Sequence, residues 1–130
     1  LIYDSWQKKQ KISIFGGDYN TKDGTCAREY VHIFDIVKAH TLTIKNRNLQ
    51  KVNIINLCTG SPVTNIEVLR AAETAWNCKL EYEIVARRPG DAESLYGVNN
   101  KAKELLGWLP KNSDINQILR DYKTWKEKEI

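Results

Sequence analysis

The chain has 130 residues, 42% of them apolar and 28% charged, so a packed core is within reach and wholesale disorder is excluded. No apolar run approaches the roughly 18 residues of a membrane span. A net charge of +4 suits a small anionic ligand as well as a nucleic acid, so charge alone excludes neither. The chain begins Leu-Ile-Tyr-Asp and contains no methionine, so the reading expects a part of a longer protein. The three cysteines, Cys26, Cys58 and Cys78, form no C-x-x-C pair. That argues against zinc and for reduced thiols in a cytoplasmic protein.

Residues 1–11 show no clear periodicity, and Lys8, Lys9 and Lys11 read as a solvated face. Lys11 to Phe15 alternates and predicts a short strand ending at Gly16-Gly17. Asp18 to Ala27 predicts a loop, with Gly24 supplying a positive φ. Ile33, Ile36, Val37, His40 and Ile44 fall on one stripe and predict a helix over 33–45, with its apolar stripe and His40 in the core. The preceding residues are poor caps, and His32 is expected to bond a backbone carbonyl. Asn46 to Lys51 is polar and ends the helix.

Val52 to Leu57 is β-branched and apolar on both faces, which predicts an interior parallel strand. Cys58 reads as a small buried hydrophobe. After the turn at Thr59-Gly60, Thr64 and Glu67 have capping-box spacing. Ile66, Leu69, Ala72, Ala75 and Trp76 supply the stripe of the helix behind them. Leu80 to Ala86 predicts a strand with Leu80, Tyr82, Ile84 and Ala86 on one face. Lys101 to Leu106 predicts a helix stopped by Gly107. Ser113 or Asp114 is expected to cap a last helix with Ile115, Ile118, Leu119, Tyr122 and Trp125 on its stripe. Alternating strands and helices predict an α/β layered piece.

Neither histidine has a local nucleophile, and no glycine-rich phosphate loop is present. The candidate chemistry lies in two arginine segments, Asp23 to Tyr30 and Arg87 to Asp91, both expected in polar loops after strands. An arginine fork suits phosphate, so one arginine from each segment could hold the two charges of a diphosphate. Asp91 could accept a ribose hydroxyl or orient Arg88. A surface ion pair is the plainer reading of each segment.

Ile14-Phe15-Gly16-Gly17-Asp18-Tyr19-Asn20-Thr21-Lys22-Asp23-Gly24-Thr25, then Arg28-Glu29-Tyr30-Val31-His32-Ile33-Phe34-Asp35, resembles the UDP-glucose 4-epimerase pattern. Asn56-Leu57-x-Thr59-Gly60, Arg88-x-Gly90-Asp91 and Leu106-Gly107-Trp108-x-Pro110 follow in the family's order. The resemblance spans residues 12 to 126. It implies an α/β fold: the C-terminal substrate-binding part of an NAD(P)-binding, Rossmann-type extended short-chain dehydrogenase/reductase. Residues 12–130 would be the UDP-sugar-binding domain, with 1–11 a poorly matched segment. The parent would be a homodimeric, NAD-dependent isomerase of galactose metabolism, without nucleic-acid or membrane partners. It would remove a hydride at C4 of the sugar and return it to the other face.

Carried over by position, the resemblance implies that Ser13, Ile14 and Phe15 contact uracil. Arg28 and Arg88 would meet the diphosphate, Asp91 the ribose, and Tyr96 or Leu95 the substrate. Glu29 stands where the family has Asp, and Cys58 where it usually has Gly. The dinucleotide fingerprint and a plausible Y-x-x-x-K pair are missing, so this piece alone is expected to be inactive. Tyr122-x-x-x-Lys126 reads as coincidence. Two other readings stand beside this one. One is a related nucleotide-sugar decarboxylase or dehydratase; the other is a non-catalytic UDP-binding module.

Overall fold

A computed structural model describes residues 2–46 and 52–128. In chain order its elements are α1 (Ile2–Gln7), β1 (Ile12–Phe15), β2 (Ala27–Arg28), α2 (Ile33–Lys45), β3 (Val63–Thr64), α3 (Asn65–Trp76), β4 (Tyr82–Val85), β5 (Ser94–Leu95), α4 (Asn100–Leu106) and α5 (Ile115–Lys128). The class is α/β. β1 and β4 pair in parallel, with Ile12 opposite Tyr82 and Phe15 opposite Val85. β2 lies between an antiparallel β3 and a parallel β5, so Arg28 faces Val63 on one side and Leu95 on the other.

The main core forms where the buried face of β1 meets α3 and α5. Ile12, Ile14, Leu69, Ala72, Trp76 and Leu119 are buried together. The indole N–H of Trp76 donates to the Leu119 carbonyl at 2.9 Å, which keeps its one polar atom satisfied. A smaller core joins Ala39 of α2 to Ala102, Leu106 and Trp108.

Several short signals in the sequence act as local chemistry dictates. Thr64 caps α3 by accepting from Glu67 N–H, and the Glu67 carboxylate accepts from Thr64 N–H at 2.8 Å. Asp114 caps α5 by accepting from Gln117 N–H at 3.1 Å, leaving Ser113 free for another task. Gly24 has φ +80, and any Cβ there would run into the Gly17 carbonyl.

Several expectations are corrected. Residues 2–7 form a helix, because Tyr3 and Trp6 pack their rings on Trp76 with centroids 5.5 and 5.4 Å away. α2 has the expected bounds but turns a different face inward. Asp35 and Ala39 are its buried residues, while Ile33, Val37 and Ile44 are 61%, 53% and 84% exposed and His40 is exposed too.

His32, not a backbone-carbonyl donor, is the α2 cap. Its Nδ1 accepts from Phe34 N–H at 3.0 Å, so its proton sits on Nε2 and is donated to Asp121 at 3.1 Å. Val52 to Leu57 pairs with no strand among the described residues. Ile55 and Leu57 face the smaller core, and Val52 and Ile54 are 83% and 82% exposed. Of the polar stretch 46–51, Asn46 ends α2 and 47–51 lie outside the described residues.

Along β4 the expected inward face thins out, from buried Leu80 just before it to Ile84 at 51% exposure. The lysines at 8, 9 and 11 are exposed, and Tyr122 of the Tyr122–Lys126 pair belongs to the aromatic cluster around Tyr3.

Candidate functional site

The C-terminal ends of parallel strands leave unpaired backbone groups facing solvent, and binding sites gather there. Here β1 and β4 end side by side at Phe15 and Val85, with the Arg87–Asp91 loop following. β2 brings Arg28 to the same place. The result is a cleft of about 340 Å³. Of the residues singled out in the sequence, Ser13, Ile14, Phe15, Arg28, Arg88 and Asp91 line it. Tyr96 does not: it is 60% exposed, just beyond β5.

The two arginines differ in support. Arg28 lies in a strand rather than a loop, and its guanidinium donates to the Ala27 carbonyl at 2.7 Å. Its Nη2 stands 3.9 Å from Asp91 Oδ1. Arg88 lies over the Phe15 ring, 3.7 Å from its centroid. Asp91 therefore pairs with Arg28, not with Arg88. The neighbouring Arg87 is occupied elsewhere. It donates to Asp18 Oδ1 at 2.6 Å and to the Asp18 carbonyl at 2.5 Å, and lies over the Tyr19 ring. The hydrogen bond and charge of Arg87 hold the Asp18 carboxyl below the usual carboxylate range.

The long motif between β1 and β2 is mostly scaffold for Arg28. Asp23 accepts from Thr25 N–H at 2.9 Å, from the Thr25 hydroxyl at 2.7 Å and from the Thr64 hydroxyl. Burial pushes the Asp23 carboxyl up, but these donors outweigh it and leave its pKa below the ordinary value. Thr25 is wholly buried and tied to the start of α3 through Ile66 N–H. The chain is thus fixed a few residues before Arg28.

On the buried face of α2, Asp35 accepts from Asn112 N–H and its amide, each at 2.8 Å, and from the Ser113 hydroxyl at 2.6 Å. Burial raises its pKa and these donors lower it further than that, for a net depression.

Tyr30, Cys26 and Asn65 also line the cleft; the first two lie in the candidate segment Asp23 to Tyr30 but carry no role in the sequence reading, and Asn65 is not singled out there as a site residue. Tyr30 could have been found, because Arg28 and Tyr30 are two apart in extended chain and such residues share a face. Burial pushes its phenol pKa up. Cys26 and Asn65 carry no sequence signal; they meet when Asn65 Nδ2 approaches Cys26 Sγ at 3.2 Å. Among the described residues, no cluster of histidine, cysteine and carboxylate side chains could hold a metal, and no helix is long and apolar enough to cross a membrane.

Residues 2–122 match the family model described as GDP-mannose 4,6 dehydratase. UDP-glucose 4-epimerase of Streptococcus mutans is 40% identical over 118 residues, which is 90% of this chain and 35% of that protein. The Rhizobium leguminosarum enzyme of the same name is 36% identical, over 93% of this chain and 37% of its own length. The chain thus spans about a third of the length of these relatives.

Among solved structures, the Bifidobacterium longum UDP-glucose 4-epimerase, crystallised with NAD+ and UDP, superposes with TM-score 0.82 at 34% identity. That superposition covers 91% of this chain and 35% of the other. The Stenotrophomonas maltophila enzyme gives 0.90 at 30% identity, over 98% of this chain and 38% of its own. These are NAD-binding, Rossmann-type enzymes, and the α/β arrangement here is one part of that fold. The chain belongs to the GDP-mannose 4,6 dehydratase family, and UDP-glucose 4-epimerases are its homologues.

Proposed function

We propose that residues 12–130 are the UDP-gripping part of a UDP-glucose 4-epimerase that interconverts UDP-galactose and UDP-glucose. One observation carries this reading: Ser13, Phe15, Arg28, Arg88 and Asp91 line a single cleft. The end of β1 offers backbone groups and the Phe15 ring to a uracil. Arg28 and Arg88 present guanidinium forks to the two phosphates. Asp91 is an acceptor for a ribose hydroxyl.

NAD is the cofactor this activity requires, and the residues here do not fit it. The sequence has no glycine-rich dinucleotide fingerprint, and the turn after Leu57 has one glycine, Gly60. No catalytic step is assigned to this chain, and by itself it is expected to be inactive. A homodimeric parent and a cytoplasmic location complete the proposal, the latter supported by three free thiols.

A nucleotide-sugar decarboxylase or dehydratase would grip UDP in the same way. The ungapped epimerase-like run from Ile14 to Asp35 favours the first reading. Calorimetry with UDP and with single-stranded RNA at two salt concentrations tests it. Saturable UDP binding without RNA binding is expected. RNA binding that falls steeply with salt would instead mark a nucleic-acid surface.

A further inference from the structure

Arg28 ends β2 and Glu29 follows it, and the two side chains go to different places. Arg28 enters the cleft. Glu29 reaches behind it, where its carboxylate meets four donors. Thr59 N–H, the Thr59 hydroxyl and Gly60 N–H donate to Oε2 at 3.0, 3.1 and 2.9 Å. Gly97 N–H donates to Oε1 at 2.9 Å. One side chain thus fastens two separate segments to the strand that carries Arg28.

Cys58 meets the same glycine. A Cβ built on Gly97 would lie 2.9 Å from Cys58 Sγ and 3.4 Å from Glu29 Oε1, so a side chain at position 97 would force the Cys58 side chain to shift. The Asn99 amide also donates to the Cys58 carbonyl at 2.9 Å. Burial, then the Glu29 charge, pushes the Cys58 thiol pKa up. Glu29 and Cys58 are two of the positions where this sequence departs from the resembling pattern, which has Asp and Gly there. Both converge on Gly97.

We propose that Glu29 is a positioning residue for the cleft, coupled to Cys58, that seats the 95–97 segment and the Thr59-Gly60 turn against β2 and so fixes where Arg28 points. The longer Glu reaches Gly97 past the thiol. An Asp would be one methylene short, and a glycine at 58 would let the turn close that gap. The inference rests on the UDP-binding reading above.

The test is UDP calorimetry on the full chain, with amide exchange measured beside it. Glu29→Gln keeps the size but supplies one oxygen, and its amide turns an N–H toward Gly97. Its UDP affinity is expected to fall about tenfold, within the loss that removing the charged contacts of Arg28 itself would cause. Gly97 should exchange faster while Trp76 and Leu119 keep their protection. Glu29→Asp should also weaken UDP binding, and Glu29→Asp with Cys58→Gly should recover most of it.

Wild-type affinity in Glu29→Gln, or a double variant no better than Glu29→Asp, overturns the inference. Should Glu29→Gln not fold, the second comparison still decides. A wild-type chain that binds no UDP overturns the binding reading instead, and Gly97 exchange then tests the tether by itself.

Discussion

Arg28 Nη2 stands 3.9 Å from Asp91 Oδ1, across the cleft from the Arg88–Phe15 stack. At that separation the carboxylate orients the guanidinium without occupying its donors, and both groups remain about a quarter to a third exposed. Asp91 therefore has an acceptor oxygen to spare for a nucleotide. Asp91→Ala is expected to weaken UDP binding by about 1.5–3 kcal/mol, the range for a hydrogen bond to a charged group. Pyrophosphate, which has no ribose, should lose less than UDP does. Calorimetry with both ligands checks this.

Adjacent arginines should separate by role. Arg87 is held by Asp18 and Tyr19, and Arg88 faces the cleft over Phe15. Arg87→Ala should lower the melting temperature slightly and leave UDP affinity within twofold. Arg88→Ala should do the reverse, losing about tenfold or more in affinity. Paired melting and titration curves decide.

The Thr64 hydroxyl joins the capping box of α3 to the Asp23 carboxylate. Thr64→Ala removes the cap and one of the donors to Asp23. A loss of about 1–2 kcal/mol in urea unfolding is expected, the upper half of the usual N-cap range. Thr64→Ser should recover most of it.

Asp35 is buried against Asn112 and Ser113, and its pKa is held below the ordinary value. A depressed carboxylate contributes stability that is present above its unfolded pKa of about 3.9 and is lost as pH falls through the folded value. The native chain should therefore weaken on acidification below about pH 4. Asp35→Asn should be less stable at neutral pH and show a flatter acid limb. Unfolding followed between pH 2 and 7 tests this.

The sequence discloses where chemistry is local and hides where it depends on a distant partner. Thr64 and Glu67 are three residues apart, so their mutual cap is legible before any fold is known. The bounds of α2 are likewise legible, but its face is not. Asp35 can be buried only because Asn112 and Ser113 arrive from far along the chain to satisfy it. The apolar stripe through Ile33 and Val37 then stays outside.

Val52 to Leu57 shows the same limit. Apolar side chains mark an extended segment, yet pairing needs a neighbouring strand, and none of those described lies beside it. In the cleft, Arg28 and Arg88 are visible as chemistry, whereas Asn65 enters it only through the docking of α3.

The decisive measurement is a titration of UDP into the wild-type chain and into Arg28→Ala under the same buffer and salt. Saturable binding at one site is expected in the wild type. In the variant the expected loss is about 1.5–3 kcal/mol, roughly ten- to a hundredfold. Equal affinity in the two proteins, both folded, would contradict a UDP site built on Arg28.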